Sequence, residues 1–268
     1  MGSELENALE SVKTSLHSPL PMALPPTHLC TAREFADIAE SGELTPTHCS
    51  VFDQKLLYFF YGGIFYRSRN SQHPTREAVR LPVAFVFGPS ILPLFECYYP
   101  FDTGAMENKV CGDWNDKLDP FKDRFRVSSN GDFRVPSQLV GQVYQTNEKY
   151  LRGEVSILCK SGPDPLTLLY EFLSADLTAY GIDRRQMSIE CHSTRPVPLG
   201  RELLWVGYPR ARTPDFLRIL ERTEPHVPKS YEYDWSVTFT PAEVARELES
   251  EARRVVIEDY VHRPGETG

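Results

Sequence analysis

Apolar residues recur along this chain at two spacings, and the alternation between them predicts a mixed fold of short strands and helices. Phe35, Ile38 and Ala39 share one helical face behind Thr31-Ala-Arg-Glu34, a capping-box sequence, and Gly42 is placed to end that helix. Leu44 begins an extended stretch. Lys55 to Tyr61 reads as an aromatic strand entering a Gly62-Gly63 turn, and Arg80 to Phe87 as a buried strand bounded by Gly88-Pro89. Phe95 to Tyr99 reads as a short strand. Between Asp102 and Ser137 the pattern is mixed, which predicts a partly helical insertion anchored by Trp114 and Phe121.

In the second half, Val135 to Tyr150 carries helical spacing and Glu154 to Cys159 strand spacing. A helix over Leu166 to Phe172, strands around Met187 to Cys191 and Leu203 to Tyr208, a helix from Pro214 to Leu220 and a strand from Tyr231 to Phe239 follow. Thr240-Pro-Ala-Glu243 is a second capping box, with Pro in the first turn, opening a charged helix that reaches about Tyr260. The fold class expected is α+β, with residues 1–26 as a loosely ordered tail containing a short helix over Glu4 to Leu16, 27–162 as the core, and 163–268 as a C-terminal α/β extension.

Composition narrows the class. At 268 residues, 41% hydrophobic and 25% charged, the chain belongs with soluble globular proteins. No apolar run is long enough for a membrane span, and Met1 to Leu20 is polar and acidic, unlike a secretion signal, so the expected location is cytoplasmic. The six cysteines are spread singly, without metal-knuckle or redox spacing, which predicts free thiols. A formal charge of −8 is unfavourable for wrapping nucleic acid. Two basic groups stand against it: Arg67, Arg69, Arg76 and Arg80, and Lys122, Arg124, Arg126 and Arg134, the second diluted by Asp119, Asp123 and Asp132.

Candidate chemistry concentrates at the aromatic strand. Six rings fall between Tyr58 and Tyr66 around two glycines that would let a ligand approach the backbone, although aromatic runs of this length are more often plain core. Tyr61 and Tyr66 are better placed than Phe59 and Phe60 to meet a ligand, because a phenol needs a polar partner. His28 precedes this strand and Glu154 follows it, with Glu148 as a competing carboxylate. Glu190 and His192 flank Cys191 and would share one face of a strand, but without further ligands they do not make a metal site. Phosphate-loop, nucleophile-elbow and kinase signatures are missing, and no metal is expected.

His28-Leu-Cys30, Tyr58-Phe-Phe-Tyr-Gly-Gly63, Phe101-Asp-Thr-Gly104 and Gly153-Glu-Val-Ser156 occur in an order that resembles the ADP-ribosyltransferase superfamily, most of all its DarT-type DNA-modifying toxin branch. The resemblance covers about Thr27 to Cys159. It implies NAD as substrate: His28 orients it, Tyr58, Tyr61 and Tyr66 line the nicotinamide pocket beside Gly62, Arg67 contacts phosphate, and Glu154 counters the cationic ribosyl centre as nicotinamide leaves. It also implies a nucleic-acid or protein acceptor and an antitoxin or other protein partner. Cys30 and Gly63 depart from the branch, standing where it usually has Thr and Arg. Arg152 occupies the position at which arginine-modifying transferases carry Glu or Gln, which disfavours protein-arginine modification. NAD hydrolysis, with water as acceptor, and a non-catalytic nucleotide- or partner-binding module are the alternative readings.

Overall fold

The computed structural model describes residues 2–13, 20–63, 77–109, 111–156, 165–175, 188–236 and 239–261. In chain order the elements are α1 (Glu4–Lys13), β1 (Pro26–Thr31), α2 (Ala32–Ser41), β2 (Glu43–Leu44), β3 (Thr47–Cys49), β4 (Gln54–Tyr61), β5 (Pro82–Phe87), β6 (Cys97–Tyr99), α3 (Thr103–Glu107), α4 (Trp114–Leu118), α5 (Phe121–Arg124) and β7 (Val127–Ser128). They continue with α6 (Val135–Val143), α7 (Asn147–Arg152), α8 (Pro165–Ser174), β8 (Glu190–Ser193), β9 (Val197–Pro198), β10 (Leu203–Pro209), α9 (Thr213–Thr223), β11 (Lys229–Tyr233) and α10 (Pro241–Tyr260). This is the α+β class that the alternating spacings predict. The chain divides into two compact units, each assembled from separated segments: Met1–Ala23, His48–Gln54 and Phe95–His192 in one, Leu24–Thr47, Lys55–Leu94 and Ser193–Gly268 in the other.

In the second unit β1 lies between β4 and β5 and is antiparallel to both; β10 pairs antiparallel with β5 and parallel with β11. Register places His28 opposite Phe85, and Val206 opposite Phe85 from the other side, so these side chains form a row across one face. Phe35 of α2 packs on Phe85 and stacks on Tyr208, which stacks in turn on Phe216 of α9. The opposite face carries Gly207, beside Ala84 in register, and α10 closes on it there. Both capping boxes form: Thr31 Oγ1 accepts the Glu34 N–H while Glu34 accepts that of Thr31, and Thr240 and Glu243 repeat the exchange. Gly42 ends α2 at φ +79°, and Arg222 of α9 donates to the carbonyls of Ala39 and Glu40 in that last turn.

The first unit centres on β6, antiparallel to β7 on one side and to β8 on the other. Its aromatic core joins Phe101 to Phe121, Phe125 and Phe172, with Trp114 against Phe172. Two expectations are corrected here. The short helix expected from Glu4 forms as α1, buries Leu5 and Leu9, an i, i+4 pair, and packs on α8. The helix expected over Val135 to Tyr150 is two helices, because Gln145 takes a left-handed φ of +71° and the Thr146 hydroxyl caps a new start by accepting the Lys149 N–H. Glu154 to Ser156 is not strand: Gly153 ends α7 at φ +73° and Glu154 follows in that turn.

Gly207 leaves little room on its face. A Cβ there would sit 2.4 Å from Leu248 Cδ2 and 2.4 Å from Trp205 Cη2. Gly207→Ala is expected to destabilise the chain by about 1–3 kcal/mol through overpacking, measured by urea denaturation, while substitution at the open Gly200 leaves the midpoint near wild type.

Candidate functional site

Beside β1 the aromatic strand does two different jobs. The His28 Nδ1 lies 2.7 Å from the Tyr58 carbonyl oxygen, which only accepts, so Nδ1 carries the proton. Burial lowers the His28 pKa, against the opposing pull of the Tyr58 bond and the Glu34 charge, so the ring is neutral and Nε2 holds a lone pair suited to a hydroxyl donor. The ring leans on Phe59, 5.3 Å between centroids. Tyr61 is fully buried and its hydroxyl accepts the Leu24 N–H at 2.8 Å. Three residues apart on β4, Tyr58 and Tyr61 point to opposite faces, so they do not line one pocket together. Gly62 turns the chain at φ +71° and donates to Pro25, a conformation that favours glycine. Tyr66 and Arg67 lie outside the described residues.

Glu154 does not have the strand placement expected of it. Its side chain is about half exposed and sits 3.8 Å from Arg152 of the same turn. Such a solvated pair contributes little.

A carboxylate held on a strand does exist, at Glu190. With alternating side chains, Glu190 and His192 of β8 share a face, and register sets Tyr99 opposite the first and Cys97 opposite the second. Both β8 side chains are removed from water, at 0% and 2% exposure. Glu190 Oε1 lies 2.6 Å from His192 Nε2 and accepts the Thr103 hydroxyl at 2.5 Å; Oε2 faces the Thr103 N–H at 3.3 Å. Thr103 opens α3, where the Asp102 side chain caps the helix through the Ala105 N–H. Phe52 meets the His192 ring edge-on, centroids 5.0 Å apart, and Tyr99 lies 5.1 Å away on the same ring. The segment holding Phe52 is tied down by Lys122, whose ammonium donates to the Val51 carbonyl and pairs with Glu107.

Electrostatics favour a charged pair. Desolvation pulls the His192 imidazole down, but its hydrogen bonds to Cys97 and Glu190 and their charges outweigh it and push the pKa up to about 9. Burial raises the Tyr99 phenol far above its ordinary range, so that neighbour stays neutral. The five described cysteines, Cys97 among them, are free buried thiols. Among the described residues no group of three or more His, Cys, Asp or Glu is arranged to hold a metal ion. Sequence reading found Glu190 and His192 as a same-face pair but discarded them as incomplete ligands; the missing information was the register with β6, which supplies their partners.

No family model and no curated protein matches the chain. Among solved structures it is similar to a DarT. That structure is DarT of Thermus sp. 2.9 in complex with NAD+, with 11% identity, 80% of this chain and 98% of that chain covered, and a TM-score of 0.41. Among the described residues, no helix is long and apolar enough to cross a membrane.

The His192 shift has a thermodynamic consequence. In the unfolded chain the imidazole releases its proton near 6.5, whereas in the folded chain it holds it to about 9. The pair's stabilisation is therefore fully present below pH 6.5 and lost as pH rises through 9. Thermal melts across that window are expected to show wild type losing stability relative to His192→Gln as pH rises; parallel curves would refute the buried ion pair.

Proposed function

We propose that the chain is an NAD-dependent mono-ADP-ribosyltransferase in which Glu190 is the carboxylate that counters the ribosyl cation. In this reaction the bond between ribose C1 and nicotinamide nitrogen breaks, nicotinamide departs with the electron pair, and an acceptor lone pair forms the new bond to C1 while the acceptor gives up a proton. The carbon is positively charged between these events, and a preorganised carboxylate in a water-poor site is the group that lowers its energy most. The observation that carries the reading is the Thr103–Glu190–His192 arrangement, which fixes a carboxylate on a strand through Thr103 and His192. The ordered motifs support it, since Thr103 belongs to the Phe101-Asp-Thr-Gly104 segment.

The acceptor is a nucleic-acid base or a protein side chain. A second reading has its own observation: complete burial of both Glu190 and His192 is what a purely structural polar network also shows, and favours a non-catalytic binding module.

The deciding experiment is nicotinamide release from NAD by the full chain, with and without DNA, RNA or protein acceptors. Glu190→Gln is expected to lower release about 100- to 1000-fold, with circular dichroism confirming the fold, and Glu154→Gln to leave it near wild type. The reverse ranking would return the role to Glu154. Release without any acceptor would mean hydrolysis, and silence throughout would favour the binding module.

A further inference from the structure

Residues 124–128 gather a run of anion-binding donors, and the chain meets them with carboxylates of its own. Arg124 ends α5, its guanidinium 5.6 Å from the centroid of the buried Phe125 ring and 17% exposed. Arg126 lies open to solvent and bonds the Ser128 hydroxyl at 2.8 Å. Ser128 belongs to β7, the last strand on its side of the sheet, so its N–H is left for a partner outside the ladder.

That partner comes from the first turn of α1. Glu6 accepts the Ser128 N–H through Oε1, and Glu4 Oε2 lies 2.8 Å from Arg124 Nε. Ser3 adds a third tie, its hydroxyl donating to the Arg126 carbonyl at 2.5 Å. Glu6 has a local task as well: Oε2 accepts the Ser3 N–H at 2.8 Å while Ser3 Oγ accepts the Glu6 N–H at 3.0 Å, a capping box that is complete without Ser128. Its other oxygen goes to the sheet edge. Glu4 is 59% exposed, so its pair with Arg124 is solvated and readily exchanged for another anion. Leu5 and Leu9 are buried, and Gln142 donates to the Leu9 carbonyl at 3.1 Å, so the helix stays docked whichever anion holds the arginines.

Position gives these donors a use. Register sets Ser128 opposite Cys97, and Cys97 opposite His192, the residue bonded to Glu190. They therefore stand two strand spacings, about 10 Å, from the strand of the proposed catalytic carboxylate. Guanidinium, hydroxyl and backbone N–H are the groups that hold phosphate oxygens in nucleic-acid complexes. Of the two acceptor classes, nucleic acid brings an anion on every unit, which two arginines and an edge amide within one short segment can meet in series. A footprint of so few phosphates suits a single strand.

We propose that residues 124–128 form a phosphodiester-binding strip for a single-stranded nucleic-acid acceptor, and that the Glu4 and Glu6 carboxylates of α1 occupy it as stand-ins for phosphate. A strand must displace them to bind, so α1 sets the threshold for acceptor entry. The binding claim stands on the strip itself; its place in catalysis rests on the transferase reading above.

Fluorescence anisotropy with the full chain and a labelled thymidine oligonucleotide of about ten nucleotides, within the range one small domain covers, tests it. Glu4→Gln/Glu6→Gln keeps the capping bond, since Gln also serves in that box. It is expected to bind about 10-fold more tightly than wild type, with log K against log salt steeper by about 1.4 for two added phosphate contacts. Adding Arg124→Gln and Arg126→Gln is expected to return affinity and slope to wild type or below. Glu40→Gln/Glu221→Gln, an exposed pair on α2 and α9, makes the same change in formal charge and is expected to bind as wild type does. Equal affinity in wild type and Glu4→Gln/Glu6→Gln, a gain shared by the control pair, or a gain that survives loss of both arginines overturns the strip. Displacement by an oligoglutamate of equal length as readily as by unlabelled oligonucleotide shows a general acidic-peptide site and overturns the phosphate assignment. Tightened binding with no nicotinamide release from NAD under any condition leaves the strip standing and overturns the transferase reading alone.

Discussion

A carboxylate taken out of water must be given back what water supplied, a compensating charge and a set of donors, and around Glu190 that requirement, with the ring packing on His192, brings together residues far apart in the chain. Thr103 comes from the start of α3, Cys97 and Tyr99 from β6, Phe52 from the segment before β4, and His192 from the same strand. Removing Thr103 or His192 takes a hydrogen-bond partner from the buried carboxylate, at about 1–3 kcal/mol or more because the group is charged, whereas Phe52 and Tyr99 contribute ring packing. The network therefore constrains the β6–β8 register: a one-residue slip would turn Glu190 and His192 to the other face, where Cys191 now lies opposite Tyr98.

The second unit solves a different problem with different residues. Its sheet is sealed by apolar contact on both faces, stacked rings beneath α2 and α9, and Gly207 with Trp205 beneath α10. Here polar groups serve ends and edges. Arg222 satisfies carbonyls in the last turn of α2, Tyr233 donates to the Pro82 carbonyl, and Tyr61 receives the Leu24 N–H. Tyr61 shows why a tyrosine in an aromatic strand is ambiguous from sequence. The phenol does need a polar partner, as expected, but a backbone amide meets that need as well as a ligand would.

What was legible was local. Capping boxes, the Gly42 stop, the buried Arg80 to Phe87 strand and the long C-terminal helix depend on residues within a few positions of one another, and each forms close to its expected bounds. Misreadings arose where a short-range signal was present but outweighed. Thr146 was available as a cap inside an apolar-periodic run, yet the periodicity of Val135 to Tyr150 reads as continuous. Glu154 was read as the start of a strand, but Gly153 is a helix stop in the left-handed region, and Glu154 follows it about half exposed. The carboxylate network was hidden for another reason: Glu190 pairs with Tyr99 across ninety intervening positions of sequence, and alternation within one strand cannot say what the opposite strand presents.

The charge distribution bears on which acceptor such a site would accept. The second basic group is spent internally or on nearby carboxylates: Arg124 pairs with Glu4, Arg134 with Asp132 and Lys122 with Glu107, as Arg80 of the first group pairs with Glu77. A phosphate backbone would have to compete with these carboxylates at each position, on a chain whose formal charge is −8. Among the described residues, duplex-wide electrostatic capture thus finds little unengaged positive charge to work with. A single exposed base, gripped by stacking and edge hydrogen bonds, makes a smaller demand on positive charge than a tracked backbone does, since every base offers a π-face. If the acceptor is nucleic acid, the physical balance favours recognition of an unpaired base over recognition of the polyanion.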